Sequence, residues 1–428
     1  MSGTLVIILF LFLLATGLPI AVSMGLPSAL YLMIAHIPPS QLIQRMVMRL
    51  NSFPMLAVPL FILAASLMNR SGITERLFEF AKLPVGRRKG GLAYVNVVAS
   101  LIFSGISGAA LADIGGLGTI EIEAMDKQHY PRDHSAAITA ASAVVGPVFP
   151  PSIPLIIYGA VAETSSMRLL ISGVFPALLI AACLMIQVAY FARKYDYPKC
   201  IERKLSGKEI LHIVKQGLPS MLMPIIMMGG MLSGWFSPTE VAAIAVVYAI
   251  VLSLMYGELS LKSFVDACSE TLRSTVSVLF IVSAAAIFAW VLTVEGMPQR
   301  VSELMLGISE NPAVLLLLSN IILLITGMFI ESTAAIMILT PILLPPLVAS
   351  GVDPVHFGLV MVFNLMIGMI TPPVGISVYM LSPIVNMPVG KVFKAVMPYL
   401  IALLTALVIL TYVPQISLWL PNVVFSAR

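Results

Sequence analysis

Charged residues and cysteines are both scarce in this chain of 428 residues. Asp, Glu, Lys and Arg make up only 10% of it, whereas 59% of the residues are hydrophobic. Because soluble domains contain roughly 25% charged residues, this composition excludes a soluble globular fold of this size. The three cysteines show neither metal-ligand nor disulfide spacing. Motifs typical of ATPases, zinc proteases and serine hydrolases are also missing, so the sequence does not favour an enzyme.

Long apolar runs dominate the chain instead, for example residues 3–23, 169–191 and 392–413. Each is close to or above the ~20 residues that a helix needs to cross the hydrocarbon core of a bilayer. The ten-residue alternation of outer-membrane barrels is absent, so we expect helical spans. The net charge of +4 comes from basic residues in loops and shows no nucleic-acid-binding pattern. The sequence therefore predicts an all-α polytopic membrane protein.

Two basic clusters set the expected orientation in the membrane. Seven Lys and Arg residues, Lys204 among them, lie within residues 193–215, and four lie within residues 82–89. Cytoplasmic loops carry an excess of Lys and Arg, so we expect both clusters on the inner side. Together with the apolar runs, this orientation predicts about ten full spans.

Two interrupted apolar segments, near residues 91–126 and 313–347, are predicted to be re-entrant hairpins. Both basic clusters lie inside only if the first segment enters and leaves the membrane on the same side. We expect this hairpin to be broken at the pair Gly115 and Gly116. Hairpins are tolerated at membrane depth where other helices bury them. Glu121, further along, is expected to be solvated near the cytoplasmic mouth.

An internal repeat is the strongest organisational signal in the sequence. A shift of 222 residues aligns Gly105 with Gly327, His134 with His356, Gly146 with Gly368, Pro150-Pro151 with Pro372-Pro373, and Pro176 with Pro398. The first hairpin is expected to open from inside and the second from outside, so the repeats are predicted to be inverted. Inverted repeats are typical of secondary transporters, whose binding site lies at the repeat interface near the bilayer midplane.

The repeat and the charge pattern divide the chain into four predicted parts. Residues 1–70 supply scaffold helices, and residues 71–195 form the first repeat core with an arm and hairpin 1. Residues 196–292 hold the cytoplasmic loop and further scaffold helices. Residues 293–428 form the second repeat core with an arm and hairpin 2.

The two arms are short amphipathic stretches that align with a shift of 224 residues. They cover residues 72–83 and 296–306, and Gly72 and Arg76 match Gly296 and Arg300. We expect both to be helices along the membrane surface that link a moving part to a static one. Polar loops are the alternative.

Four segments break the helical pattern in ways that a plain span would not. They are residues 103–113, 146–152, 326–333 and 368–375. Proline removes a backbone donor and clashes with the carbonyl four residues earlier, so adjacent prolines unwind a helix and free carbonyl oxygens. Such oxygens, together with Ser and Thr hydroxyls, suit a dehydrated Na⁺, and half-helix N-termini suit a substrate carboxylate. The alternative is that these residues only kink and pack the helices.

Acidic residues and histidines in these regions allow more than one interpretation. Asp113 follows the tip of the first hairpin and either binds a ligand or ion, or caps the second hairpin helix. Glu331 lies at the second tip without a neighbouring base, and its role stays open. His134 and His356 stand at span entrances, where helix-end contacts are favoured over a proton relay.

Three of the broken segments carry a resemblance to a known family. They read FSGISGAALAD at residues 103–113, GPVFPPS at 146–152 and GMITPPVG at 368–375. Essentially the whole chain resembles the large membrane subunit of tripartite ATP-independent periplasmic (TRAP) transporters. The resemblance implies sodium-driven uptake by an elevator mechanism in the bacterial inner membrane. It also implies two partners, a periplasmic substrate-binding protein and a small four-helix membrane subunit, expected here as a separate chain.

The same resemblance assigns residues to two sodium sites and a substrate site. The first sodium site uses Ser104, Ser107, Gly146, Phe149 and Pro151. The second uses Gly327, Gly368, Thr371 and Val374. The substrate meets Ser104, Ser107, Asp113, Ser152 and Glu331. Several of the sodium ligands are expected to be backbone carbonyls.

Family members carry sialic acids, C4-dicarboxylates, keto acids and other carboxylates, and the chain looks most like the sialic-acid branch. A stand-alone divalent-anion/sodium symporter, which has similar inverted hairpins, is the alternative within transport. A channel is disfavoured because the sequence has no repeated filter or charged ring. An intramembrane enzyme is disfavoured because paired catalytic groups are absent.

Overall fold

The structure is a computed structural model, which describes residues 2–201, 203 and 205–426. Within these ranges the regular elements are helices, and strand-like pairing is limited to an isolated bridge between Lys89 and Lys199. Lys204 of the predicted cytoplasmic cluster lies outside the described residues. The prediction of an all-helical chain is confirmed for the part that the structure describes.

The helices of the first half are, in chain order, α1 (Gly3–Ala15), α2 (Ile20–Ile34), α3 (Ser40–Leu50), α4 (Ala57–Arg70), α5 (Ile73–Val85), α6 (Gly91–Ser107), α7 (Ala110–Asp113), α8 (Thr119–Lys127), α9 (Arg132–Ala143), α10 (Ile153–Val161), α11 (Ser166–Ser172) and α12 (Val174–Lys194). Those of the second half are α13 (Gly207–Leu232), α14 (Pro238–Met255), α15 (Leu261–Val294), α16 (Met297–Ile308), α17 (Pro312–Phe329), α18 (Ser332–Ala349), α19 (Pro354–Gly368), α20 (Ile376–Ile384), α21 (Val389–Tyr412) and α22 (Gln415–Ser426).

Eight helical stretches of the described residues are long and apolar enough to cross a membrane. They are Phe53–Arg70, which includes α4, Ser166–Lys194, which joins α11 and α12, and the helices α13, α14, α15, α17, α18 and α21. The shorter helices α1, α2, α6 and α19 are also apolar. A multi-pass membrane protein is thus confirmed, whereas the count of about ten full spans stays a prediction. α17 and α18 come from the segment assigned to the second hairpin.

The first interrupted segment breaks seven residues earlier than the sequence predicts. α6 ends at Gly108, whose φ of +60° places it in the left-handed region that closes a helix. The predicted break at Gly115 and Gly116 is wrong, because both lie in a π-helical turn, Ile114–Gly118, that connects α7 to α8 without interruption. A π-turn absorbs the glycine pair by widening the helix locally, so the chain there need not unwind.

Two groups of helices bury the broken ends. α4 packs against α14 and α15, and α15 also contacts α2 and α3. On the other side, α9 packs against α6 and α21, while α19 packs against α17 and α21. Fully buried aromatic side chains, among them Phe103, Tyr158 and Phe363, fill the interior. Protein rather than lipid therefore surrounds the ends of α6 and α19, as irregular backbone at membrane depth requires.

Both predicted arms are helices, α5 and α16, and each follows a left-handed glycine. Gly72 has φ +61° and Gly296 has φ +69°. Arg76 on α5 donates to the Gly72 carbonyl (2.9 Å) and pairs with Glu258 (2.7 Å) in the loop before α15. Glu295, just before Gly296, accepts a 2.7 Å hydrogen bond from Tyr31, which lowers the pKa of Glu295. Each glycine junction is therefore held by an acidic residue from outside the arm.

A methyl group at Gly358 should destabilise the protein, because it would overlap the ring of Tyr158, a fully buried side chain. Overpacking of this kind costs about 1–3 kcal/mol. We therefore expect Gly358→Ala to lower the melting temperature of the purified protein. Gly390→Ala is the matched control, since a Cβ there meets no atom within 4 Å. Equal melting temperatures for both variants would contradict the packing described here.

Candidate functional site

The two broken segments of the first half touch through their backbones. The amide of Ile153 donates to the carbonyl of Gly108 at 3.3 Å. A Cβ on Gly108 would stand only 2.5 Å from the carbonyl oxygen of Pro151, so this close approach requires glycine. The Pro150-Pro151 bond is cis, as is Pro372-Pro373 in the second half. The tip that follows α6 and the proline break before α10 thus form one unit.

Asp113 carries an unsatisfied carboxylate oxygen in the middle of this unit. The residue is 2% exposed, and its Oδ1 accepts a hydrogen bond from the Ser107 hydroxyl. Its Oδ2 has no hydrogen-bond partner among the described residues. Gly146 borders that oxygen, since a Cβ there would lie 2.5 Å from it. The structure therefore places Ser107 and Gly146, both assigned to the first sodium site, next to Asp113, and the absence of a side chain at Gly146 lets the Asp113 carboxylate approach the backbone there.

A cation fits this donor set. A buried carboxylate is costly unless it is paired, and no salt bridge to Asp113 occurs among the described residues. Hydroxyl, carboxylate and carbonyl oxygens are the ligands that a hard cation such as Na⁺ takes. The chemistry of the first site thus suits the predicted ion.

Ser104 and Phe149, assigned to the first sodium site, and Ser152, assigned to the substrate, contact residues near the two breaks. Ser104 is fully buried and donates to the Ser100 carbonyl. Phe149 lies against Gly105, where a Cβ would be 3.3 Å from its ring. Ser152 caps α10 by accepting from the Leu155 amide at 3.2 Å. The Ser152 hydroxyl also donates to the carbonyl of Pro147. Its hydrogen bonds are therefore made inside the break.

The second half contains a corresponding close approach between two glycines. A Cβ on Gly368 would be 2.5 Å from the carbonyl carbon of Gly327, so α17 and α19 meet backbone to backbone there. Beyond α19, the Thr371 hydroxyl donates to the Ile367 carbonyl at 2.7 Å, and its lone pairs stay available to a cation. Val374 is half-buried in the same break.

Glu331 is the N-cap of α18. Its carboxylate accepts hydrogen bonds from the backbone amides of Thr333 (2.9 Å) and Ala334 (3.3 Å). The hydroxyls of Ser332 and Thr333 donate to it as well, at 2.9 and 3.0 Å. This arrangement satisfies helix donors that would otherwise be orphaned. The amides that the sequence analysis assigned to a substrate carboxylate at this tip are thus already occupied.

A single cavity of about 940 Å³ joins the tips of both halves. Its lining includes Ser107 and residues 109–112 from the first tip, and residues 331–333 from the second. Pro147 and Met369 line it from the two proline breaks. Other parts of the wall come from α4, α5 and α15, from the π-turn with α8, and from one or two residues each of α10, α19 and α20. The broken segments of both halves therefore face one shared cavity.

Sequence reasoning missed the polar residues that α4, α5 and α15 contribute to this cavity. They are Ser66, Asn69, Arg70, Thr74, Glu75, Glu270, Ser274 and Ser277. The signal was available for Arg70, a basic residue at the end of an apolar run and outside both basic clusters. The sequence does not reveal the role of Arg70, because its neighbours in the cavity come from distant parts of the chain.

Glu121 is buried, so the expectation that it is solvated is wrong. It is 1% exposed, and its Oε2 accepts from the Asn96 amide at 2.7 Å and from the Thr139 hydroxyl at 3.4 Å. The π-turn between Asp113 and Glu121 inserts an extra residue, which rotates Glu121 onto the same buried face. Sequence periodicity for a regular helix places it on another face.

The two histidines make structural contacts, as the sequence analysis favours. His134 Nδ1 lies 3.1 Å from the Tyr399 hydroxyl. His356 contacts the Ser417 hydroxyl (2.8 Å) and the Thr411 carbonyl (3.1 Å). Each ties the beginning of one helix to a later part of the chain.

A multi-pass chain that is helical throughout its described residues, and whose helix breaks in both halves face one cavity, has the features of membrane transport proteins. The family model described as "Tripartite ATP-independent periplasmic transporter, DctM component" matches residues 7–416. The chain therefore belongs to this family, and the resemblance noted in the sequence is confirmed.

Similar proteins from several bacteria agree with this assignment. The chain is 43% identical over 380 residues to the sialic acid TRAP transporter large permease protein SiaM of Vibrio cholerae, covering 89% of this chain and 88% of that protein. It is 38% identical over 371 residues to the C4-dicarboxylate TRAP transporter large permease protein DctM of Pseudomonas aeruginosa, covering 86% of each. The crystal structure of the Alcanivorax borkumensis YdaH transporter shares the fold, with a TM-score of 0.66, 16% identity and 89% coverage of both chains.

Loss of the Glu331 cap should cost stability. Replacing a helix N-cap by alanine costs about 0.5–2 kcal/mol, so we expect Glu331→Ala to lower the melting temperature of the purified protein. Glu303→Ala, an exposed change on α16, is the control. Unaltered stability of Glu331→Ala with a loss of substrate binding would instead assign this carboxylate to the substrate.

Proposed function

We propose that this chain is the sodium-coupled large permease of a tripartite importer for an organic acid. The observation that carries the proposal is the orphaned Oδ2 of Asp113, buried where the two breaks of the first half meet and beside the shared cavity. A periplasmic binding protein delivers the substrate, and a small four-helix subunit completes the complex in the bacterial inner membrane. Membership of the TRAP family supports both partners and the location.

The first sodium ion would be held by Ser104, Ser107, Gly146, Phe149 and Pro151. The carboxylate of Asp113 lies next to this set and supplies the negative charge. The second ion would be held by Gly327, Gly368, Thr371 and Val374. Backbone carbonyls of the two proline breaks and the Thr371 hydroxyl would supply neutral oxygens, which bind Na⁺ in discontinuous-helix transporters.

The substrate occupies the shared cavity between the tips. Its lining includes Ser107 and Glu331, two of the residues assigned to the substrate, and lies next to Asp113 and Ser152. The names of the relatives support a sialic acid or a C4-dicarboxylate, and the 43% identity to SiaM favours the sialic acid. A volume of about 940 Å³ accommodates either molecule.

Movement is proposed to follow an elevator mechanism with inverted repeats. The part of the chain that carries the hairpins would shift against a scaffold that includes α4, α14 and α15. The arms α5 and α16 would transmit the shift. Gly72 and Gly296 support this role, because a left-handed glycine before each arm tolerates changes of φ and ψ.

Uptake should require a sodium gradient and all three proteins. We expect proteoliposomes with the permease and its small subunit to accumulate N-acetylneuraminate when external Na⁺ and the binding protein are both present. Replacement of Na⁺ by K⁺ should abolish accumulation. Equal uptake in K⁺ would contradict sodium coupling, and undiminished uptake without the binding protein would favour the stand-alone symporter.

Thr371→Val and Asp113→Asn should each raise the Na⁺ concentration needed for half-maximal uptake by about tenfold or more. If one oxygen ligand contributes about 1.4 kcal/mol to the binding of Na⁺, its loss weakens the affinity for Na⁺ tenfold. Thr405→Val is matched to the first variant, because Thr405 also donates to the carbonyl four residues earlier (2.7 Å) but lies on the exposed side of α21. Asp126→Asn is matched to the second, because exposed Asp126 pairs with Arg132.

Normal sodium dependence in both test variants would show that the breaks only kink the helices. A rise in the controls as large as in the test variants would show that the effect is unspecific.

A further inference from the structure

Arg70 is the one basic side chain among the described residues that line the shared cavity. Four acidic residues accompany it: Glu75, Glu123, Glu270 and Glu331. An organic anion that enters this chamber therefore meets an excess of negative charge. Like charges at close range repel, so binding of a carboxylate requires a positive partner.

The N-termini of α18 and α10 at the cavity are already capped, and that of α7, which has no side-chain cap, offers backbone amides but no formal positive charge. The first amides of α18 are taken by the carboxylate of Glu331, and the Ser152 hydroxyl caps α10. The guanidinium of Arg70 is thus the remaining cationic group of the wall. Arginine presents five N–H donors in a planar fork that matches a carboxylate.

In this structure Arg70 is held by acidic side chains of α15. Its Nε and Nη2 both donate to one oxygen of Glu270, Oε2, at 3.2 and 2.9 Å. The hydroxyl of Ser66 donates to the same oxygen at 2.9 Å. The Nη1 atom lies 3.9 Å from Asp266 Oδ2. One carboxylate oxygen thus accepts three hydrogen bonds. The guanidinium does not form the bidentate pair in which two of its N–H groups bind the two oxygens of one carboxylate.

The exposure of the pair makes it exchangeable. The side chains of Arg70 and Glu270 are 37% and 54% exposed, so water and solutes reach both of them. Exposed ion pairs of this kind contribute little stability. A substrate carboxylate that accepts two parallel N–H bonds competes well with the single oxygen of Glu270.

We propose that Arg70 binds the carboxylate of the transported acid. When the cavity holds no substrate, the carboxylate of Glu270 accepts the hydrogen bonds of Arg70 in place of the substrate carboxylate. The inference rests on the proposed function and identifies the specificity-determining charge of the same site. Arg70 is on α4, which packs against α14 and α15, and the hairpin tips line the same cavity. The acid would thus be bound in the cavity that α4 and the tips share.

Equilibrium binding of radiolabelled N-acetylneuraminate to the permease and small-subunit complex in nanodiscs tests this assignment. We expect Arg70→Gln to raise the Kd by roughly tenfold or more, the scale of a lost charge-assisted hydrogen-bond pair. Arg70→Lys should recover part of the loss, because it keeps the charge without the fork. Glu270→Gln should lower the Kd about threefold by removing the competitor.

The methyl ester of N-acetylneuraminate, used as a competitor, separates recognition of the carboxylate from a general effect on the cavity. Its affinity should be the same in the wild type and in Arg70→Gln. Arg132→Gln is the matched control, since Arg132 also pairs with an acidic residue, Asp126, but does not line the cavity. It should leave the Kd of the acid unchanged.

Three results would overturn the inference. They are an unchanged Kd for the acid in Arg70→Gln, an equal loss of the acid and its ester in that variant, and a higher Kd in Glu270→Gln. The second and third results would show that the Arg70–Glu270 ion pair only stabilises the structure. Failure of the wild-type complex to bind either N-acetylneuraminate or succinate would contradict the proposed function itself, and the inference with it.

Discussion

The fold depends on one constraint: within the hydrocarbon core, every backbone N–H and C=O needs a partner other than water. Helices satisfy this rule internally, so an interruption survives only where protein surrounds it. In this chain the interruptions meet one another. Gly108, which follows α6, lies against Pro151 in the proline break, and Gly327 of α17 lies against Gly368 at the end of α19. Each half thereby surrounds its broken segments with protein. The proposed ion sites use residues of the same segments, so the structural requirement and the proposed coupling involve the same parts of the chain.

The cavity shows how charge is arranged around these breaks. Asp113 contributes a buried carboxylate oxygen without a partner, which favours a cation on the hairpin side. Glu331 closes the N-terminus of α18 and removes its amides from substrate binding. Among the described lining residues, the positively charged side chain of the cavity is therefore Arg70 on α4. A cation beside Asp113 and an organic anion beside Arg70 would therefore lie near groups of opposite charge, as the proposed co-transport of the two would use.

Much of this could be predicted from the sequence, because the signals were either bulk properties or repeated. Apolar bulk predicts the spans, and the 222-residue shift predicts that Gly146 and Gly368 occupy comparable breaks. The predicted location of the first break was wrong. A Gly-Gly pair such as Gly115 and Gly116 usually indicates the end of a helix, but here a π-turn accommodates both residues and the helix continues. The same turn buries Glu121 against Asn96. Arg70 and Glu270 were missed for another reason: they are 200 residues apart, and only tertiary packing brings them together.

Sodium binding at the helix breaks is the central claim, and thermal unfolding of the purified permease and small-subunit complex tests it without any substrate. A ligand that binds only the folded state raises the melting temperature as its concentration increases. We predict that NaCl stabilises the complex progressively relative to KCl at equal ionic strength, and that this difference shrinks in Asp113→Asn. Identical unfolding curves in Na⁺ and K⁺ across the whole concentration range would contradict the account.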